Sequence, residues 1–285
     1  MFEIASASIM GSDHAHPLLR KNNQDAKYCI NHKDGVVNGI IAVVCDGCSS
    51  SEYSEVGAHI GARVIAETIK KYYEKFYERN CGDPHYEPGS IEIMDFPYWE
   101  AIRKEILVKI SDIALALCGG KVTRFSKIVN DYFLFSTVGA LITPWGAVAF
   151  CIGDGEIIVN GNRIKVGPFP GNEPPYLAYA LVETALKDNS PELLQFSIKS
   201  VIPVSELQSL VIGSDGLGHL IDSADKKIPG REELVGPISQ FWELDKYFQN
   251  PDAIRRRLAV INRGHEGQSG LLLDDTTMVV IRRCR

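Results

Sequence analysis

Acidic residues recur in this 285-residue chain at one kind of place, the end of an apolar run. Val43-Val44-Cys45-Asp46-Gly47, Ala149-Phe150-Cys151-Ile152-Gly153-Asp154-Gly155 and Leu210-Val211-Ile212-Gly213-Ser214-Asp215-Gly216 each pass from apolar residues to an acid followed by glycine. Asp274-Asp275 opens the run Thr276-Thr277-Met278-Val279-Val280, and Asn23-Gln24-Asp25 opens Ala26 to Ile30. Runs of this β-branched kind read as buried strands. Carboxylates at neighbouring strand ends meet in space even when far apart in sequence. A cluster offering oxygen donors alone suits Mg²⁺ or Mn²⁺, which take hard ligands in octahedral array and keep several waters. A glycine after the acid lets backbone approach, so that its carbonyl becomes a further ligand.

Asp-Gly is also a common tight-turn dipeptide. Asp34-Gly35, between strand-like Ala26 to Asn31 and Val36 to Cys45, reads wholly as a hairpin turn. Asp154-Gly155 reads equally well as a hairpin turn or as a metal-binding strand end. Asp46, Asp215 and Asp274 are weak signals singly and a stronger one together.

The elements that must position these acids are legible from periodicity. Ile40 to Cys45 is a strand, broken at Asp46-Gly47-Cys48 and by Ser49 to Ser51. A helix follows from Glu55 to about Glu78, with Val56, Ile60, Val64 and Ile69 on one stripe and Ser54 or Ser51 as N-cap. Trp99, Ile102, Ile106, Ile110, Ile113 and Leu117 predict a second amphipathic helix over Pro97 to Cys118, stopped by Gly119-Gly120. Further strands are expected at Phe2 to Met10, Tyr132 to Thr143, Gly146 to Ile152, Phe196 to Ile202, Ser209 to Gly213 and Thr276 to Arg282. Glu156 to Val159 and Arg163 to Val166 form a hairpin about Asn160-Gly161. Gly167 to Pro175 is loop, Tyr176 to Ser190 is ambiguous, and Asp252 to Arg263 is helical. No repeat or linker divides the chain, so residues 1–285 read as one domain. Runs of strands and runs of helices predict an α+β fold with antiparallel sheets, and helices on both sides of packed sheets fit that order.

Composition excludes several function classes. Net charge is −6 with 45% hydrophobic and 23% charged residues, an ordinary globular balance without the basic surface that nucleic acid or an acidic membrane would need. The seven cysteines are scattered, several inside apolar runs, as reduced core cysteines are. Met1 to His16 has no basic start or long apolar centre, so no signal peptide is expected, and no stretch is long enough to span a bilayer. A cytoplasmic protein is the expectation.

Taken in order, the acidic segments resemble the motifs of the metal-dependent serine/threonine protein phosphatases of type 2C, the PPM family. Arg20-Lys21-Asn22-Asn23-Gln24-Asp25 resembles the family's Arg…Asn-Glu-Asp motif, and Asp46-Gly47 its Asp-Gly-x-Gly-Gly. Ser136-Thr137-Val138-Gly139-Ala140 resembles its small-Thr segment. Gly153-Asp154-Gly155 resembles Gly-Asp-Ser, Ser214-Asp215-Gly216 resembles Ser-Asp-Gly, and Asp274-Asp275-Thr276-Thr277 resembles Asp-Asn-x-Thr. The resemblance spans nearly the whole chain. It implies a four-layer αββα sandwich, two Mn²⁺ or Mg²⁺ ions with a weaker third, a phosphorylated protein substrate and a place in signal transduction. Asp46 would bridge two ions, with the Gly47 carbonyl on one of them and Asp215 and Asp274 completing the first site. Asp25 would hold a metal water, Asp154 would join Asp215 at the third ion, and Arg20 would grip the phosphate with its planar fork. The resemblance further implies hydrolysis by a hydroxide bridging the metals, with no covalent phosphoenzyme.

The chain departs from the pattern at several points. Gln24 stands for Glu and removes a charge. Cys48-Ser49-Ser50 replaces the Gly-Gly tail, and Cys48 stands where some members carry a histidine proposed as general acid. His14 and His16 on the nearby loop are alternative proton sources, although each also reads as a plain loop residue. Gly155 replaces Ser, and Asp275 replaces Asn and adds charge. Gly167 to Pro175 with Tyr176 to Ser190 is the expected flap. Cys45 and Cys48 form a lone C-x-x-C, without the second pair that a zinc site needs. The competing readings are a phosphatase-fold binding module that has lost turnover, motivated by Gln24 and Cys48, and a phosphatase of small phosphomonoesters. A two-metal nuclease fits the acids but not the acidic net charge.

Overall fold

Ten strands form two five-stranded sheets: β1 (Phe2–Ile9), β2 (Asp25–His32), β3 (Gly39–Gly47), β4 (Phe135–Ile142), β5 (Gly146–Ile152), β6 (Gly155–Val159), β7 (Asn162–Val166), β8 (Ser197–Pro203), β9 (Ser209–Gly213) and β10 (Thr276–Arg283). They belong to a computed structural model that describes residues 1–15, 21–32, 39–80, 98–167, 169–182 and 191–284. The first sheet has the order β1-β10-β9-β6-β7 and the second β2-β3-β4-β5-β8, and every pairing is antiparallel.

The period of two along each strand makes the layers. On β3, Ala42 and Val44 face the apolar layer between the sheets, while Ile41, Val43 and Cys45 face a helical layer. On β10, Val279 and Ile281 point inward and Met278 and Val280 outward to a second helical layer. The first helical layer is α1 (Ser54–Asn80), α2 (Trp99–Leu117) and α3 (Phe125–Tyr132), packed on the second sheet. The other is α4 (Gly216–Asp222), α5 (Gln240–Glu243), α6 (Lys246–Gln249) and α7 (Ala253–Ile261), on the first sheet. This is the expected α+β sandwich of helix, sheet, sheet and helix. Val44, Val279 and Ile281 are wholly buried, each such side chain stabilising the fold by about 1.5–3 kcal/mol.

Of the expected stripe on α1, Ile69 is buried and Ile60 and Val64 pack partly buried against the same core, but Val56 turns outward. Val56 is 41% exposed, while Ala58, Ala62, Ile65, Ala66, Ile69 and Tyr73 are buried. A face of alanines lets the helix lie close on the sheet, and small residues carry little apolar signal in a sequence pattern. Ser51 Oγ donates to the Asn130 carbonyl at 2.7 Å and Ser54 Oγ accepts from Gln24 Nε2 at 2.5 Å, so both candidate caps are engaged elsewhere. The hairpin about Asn160-Gly161 forms as expected, with φ of 50° and 82°, the positive pair that a tight two-residue turn requires. Asp154-Gly155 is not a hairpin turn: β5 lies in one sheet and β6 in the other, so this segment carries the chain between sheets. Asp34-Gly35 and residues 183–190 lie outside the described residues. Among the described residues no helix is long and apolar enough to cross a membrane.

Candidate metal centre

The two sheets present acids at the same end. Antiparallel register sets Asp25 at the start of β2 directly opposite Asp46 near the end of β3, and Asp46 opposite Ser136 on β4. From the other sheet, Asp215 follows β9 at the start of α4, and Asp274 stands two residues before β10. Asp154 sits in the crossover between them. Asp46, Gly47, Asp154, Asp215 and Asp274 line a single cleft, walled by His14, Gln24, Cys48, Ser136 and Tyr176, and no Lys or Arg lies among its described lining residues.

Hydrogen bonds hold the acids' neighbours in place. Ser214 Oγ donates to Asp25 Oδ2 at 2.6 Å and accepts from the Thr277 amide at 3.1 Å, tying the start of β2 to the opposite sheet. Ser8 Oγ accepts from Asn23 Nδ2 at 2.7 Å and from Thr277 Oγ1 at 2.6 Å, a second tie. Asp275 does more than add charge. It is 3% exposed, and its two oxygens accept from the Gly11 amide at 2.7 Å and the Gln24 amide at 2.6 Å. Gln24 Nε2 reaches Ser54 Oγ and the Cys48 carbonyl, and the Gln24 carbonyl accepts from the Gly47 amide at 3.2 Å.

Electrostatically this is a strained assembly. Burial pushes Asp25 well above the ordinary carboxylate range against the pull of Ser214, and Asp275 adds to the rise. Burial does the same to Asp46, followed by repulsion from Asp25, Asp215, Asp274 and Asp154. Asp215, open to the cleft by surface area yet low in a ring of acids, is raised to about 6 by desolvation and then by Asp274 and Asp154. Asp154 is raised chiefly by burial. Buried groups that repel one another so strongly call for a cation.

The oxygens present fit a hard divalent ion. Asp25 Oδ1 and Gln24 Oε1 are buried without a hydrogen-bond partner, which buried acceptors rarely are. The cleft offers carboxylates from both sheets and the Gly47 backbone, an oxygen set suited to Mn²⁺ or Mg²⁺.

The expected site residues Asp46, Gly47, Asp154, Asp215 and Asp274 therefore come together, with Asp25 beside them. Arg20 and His16 lie outside the described residues. The expected flap contributes Pro174 and Tyr176 to the wall. Cys45 and Cys48 do not act as a pair: Cys45 is buried against Thr137, and Cys48 faces Ser50. Burial raises the Cys45 thiol to about 12. At Cys48 burial works upward too, but hydrogen bonds from Ser50, Tyr176 and Ser51 outweigh it and the thiol ends below its ordinary value. The sequence pattern missed the bracing roles of Ser214 and Asp275, and Tyr176 entered it only as part of the expected flap. Ser214 abuts a recognisable acid, whereas Tyr176 reaches the site through a loop without periodicity.

The sequence profile of the family described as protein phosphatase 2C matches residues 11–246. Among solved structures, a bacterial serine phosphatase is similar at 14% identity and a TM-score of 0.52, covering 99% of this chain and 98% of that one. The serine/threonine phosphatase Stp1 from Staphylococcus aureus is similar at 14% identity and a TM-score of 0.51, covering 100% of this chain and 96% of that one. At these identities the likeness is one of fold. Comparison with curated proteins gave no match.

Proposed function

The chain belongs to the protein phosphatase 2C family, and from that premise we propose that it is a metal-dependent phosphatase removing phosphate from phosphoserine or phosphothreonine on a protein. One observation carries the reading: Asp46, Asp154, Asp215 and Asp274 converge from two sheets and their crossover on one cleft whose described lining holds no Lys or Arg. Asp46 would be shared between two ions, the Gly47 carbonyl would add to one of them, and Asp215 and Asp274 would complete the first. Asp154 with Asp215 would serve a weaker third, and Asp25 would hold a metal-bound water. When bound, the ions supply Lewis-acid activation of water and neutralise charge gathering on phosphorus.

The chain's own residues do the positioning. Ser214 fixes Asp25, while the Gly11 and Gln24 amides fix Asp275 and with it the neighbouring Asp274. Arg20 would grip the substrate phosphate, a job suited to its planar guanidinium. Lys21 Nζ donates to the Ser49 carbonyl at 2.6 Å, holding the segment after Arg20 against the rim of the cleft. Tyr176 closes one wall and limits water at the reacting phosphate.

Purified protein is expected to hydrolyse p-nitrophenyl phosphate and phosphoserine or phosphothreonine peptides with Mn²⁺, and to lose both activities with EDTA. Turnover that survives EDTA and Asp46→Ala would sink the reading. A clear preference for small phosphomonoesters over phosphopeptides would replace the protein substrate while keeping the metal chemistry.

A further inference from the structure

His14 stands in the segment after β1, and that segment is tied along the approach to β10. The Ser12 amide donates to the Leu272 carbonyl at 2.8 Å and the Asp13 amide to the Leu273 carbonyl at 3.0 Å. The imidazole is thereby carried into the wall of the cleft, with its side chain 11% exposed. Nε2 lies 3.7 Å from Asp274 Oδ1, and Nδ1 lies 3.0 Å from Asp275 Oδ2. Nδ1 is buried and lacks the alignment of a hydrogen bond. Donor atoms of His14, Asp274 and Asp275 all fall within 4.8 Å of one another.

We propose that His14 supplies a nitrogen ligand to the ion held by Asp274, with Asp275 orienting the ring, and that the cleft thereby favours Mn²⁺ over Mg²⁺. This rests on the metal-centre reading above and adds to it a ligand from outside the acidic set. The division of labour follows from what each carboxylate already does. Both Asp275 oxygens are engaged by backbone amides, so this carboxylate is a fixed post beside Nδ1. Asp274 has a side chain 47% exposed and faces the cleft. A histidine that ligates a metal through one nitrogen commonly directs its other N–H at a carboxylate, which fixes tautomer and ring orientation. Asp275, His14 and Asp274 stand in that order, with Nδ1 3.0 Å from the Asp275 carboxylate and a small rotation of the ring needed to align its N–H with it. Cis ligands of an octahedral ion bound at about 2.1–2.2 Å lie about 3.0–3.1 Å apart, so the 3.7 Å between Nε2 and Asp274 Oδ1 needs to close by only about 0.6 Å to admit the ion. Imidazole is a ligand that transition ions accept readily, whereas Mg²⁺ keeps to oxygen and water. An all-oxygen centre would discriminate between the two ions less.

The test reads the ligand directly. Protein labelled with ¹⁵N-histidine is loaded with Mn²⁺, and electron spin echo modulation is recorded beside unlabelled protein. Imidazole coupling to Mn²⁺ that changes with the isotope is the expected result, and it is lost in His14→Gln. Calorimetry should show Mn²⁺ affinity falling about tenfold or more in His14→Gln, with Mg²⁺ affinity moving far less. Stoichiometric Mn²⁺ binding without nitrogen coupling, or an unchanged Mn²⁺/Mg²⁺ ratio in a folded His14→Gln protein, overturns the proposal and leaves the metal centre standing. Failure to bind Mn²⁺ at all overturns both. The labelled wild-type chain needs no substitution, so a variant that fails to fold does not remove the test.

Discussion

Asp25 and Asp46 are partners in one rung of the β2–β3 ladder, so two carboxylates meet directly on the same face of the second sheet. Like charges in that relationship destabilise a sheet. Both are desolvated and both are raised, with Asp25 the first of the acids that burden Asp46. The metal-free fold therefore holds a repulsion that a bound cation would remove.

Replacing one partner should expose that repulsion. In EDTA, Asp46→Asn is expected to melt about 2–4 °C above the wild type, the shift that about 1 kcal/mol produces in a chain of this size. The variant should no longer be stabilised by Mn²⁺. Scanning calorimetry with and without metal measures both effects. A metal-free Asp46→Asn protein that melts lower would mark Asp46 as a bracing group instead of a strained ligand.

The same groups give stability a pH dependence. Asp215 titrates near 6 in the folded, metal-free chain, against about 3.9 in an unfolded one, and Asp25, Asp46 and Asp154 are raised in the same sense. Between the two values the folded state binds more protons than the unfolded state, so unfolding free energy falls as pH rises. Their contribution is complete below the unfolded value and lost as pH passes through the raised ones. Metal-free protein should therefore melt higher at about pH 5 than at about pH 7.5, and saturating Mn²⁺ should flatten the difference. Equal slopes with and without Mn²⁺ would show that these acids do not hold the ion.

Gly11 is where the N-terminal segment passes closest to the acids. A Cβ there would stand 2.4 Å from the Asp274 carbonyl carbon and from Leu273 O, both backbone atoms. Gly11→Ala is expected to cost about 1–3 kcal/mol, as overpacking does, and to weaken Mn²⁺ binding by displacing Asp274. Denaturant unfolding and metal titration of the same preparation test the pair of effects, and a loss of stability with unchanged Mn²⁺ affinity would break the link.

Glu156, two residues past Asp154, is 1% exposed and accepts from Arg163 Nε at 2.9 Å. Removing one member of a buried pair leaves an uncompensated charge, worth about 3–5 kcal/mol. Arg163 is partly exposed, so Arg163→Ala should fall at the lower end of that range, and adding Glu156→Gln should recover part of the loss. Urea midpoints of the single and double variants decide it, and equal midpoints would remove the charge argument.

Legibility in the sequence followed how local the cause was. That Asp46, Asp215 and Asp274 would share one cleft could be read because an acid and a small residue at a strand end leave a local mark, and the turn at Asn160-Gly161 because its chemistry is self-contained. Asp154-Gly155 could not be assigned, since the dipeptide is the same in a hairpin and in a crossover and the difference lies in which strand receives β6. The buried face of α1 was read only in part, because Ala58, Ala62 and Ala66 owe their burial to closeness to the sheet, a tertiary property. Asp275 looked like surplus charge, because its partners, the Gly11 and Gln24 amides, are far away along the chain.

The crossover at Asp154 places the site's acids on separate bodies: Asp25 and Asp46 travel with one sheet, Asp215 and Asp274 with the other. An ion gripped by both sets is a rivet through the two sheets. Such a rivet could not be set until the sheets had docked, so metal binding would come late in folding. Affinity would then gauge that docking: a void cut at Val44 or Val279, in the apolar layer between the sheets, would loosen the plates and register as weaker hold on the ion.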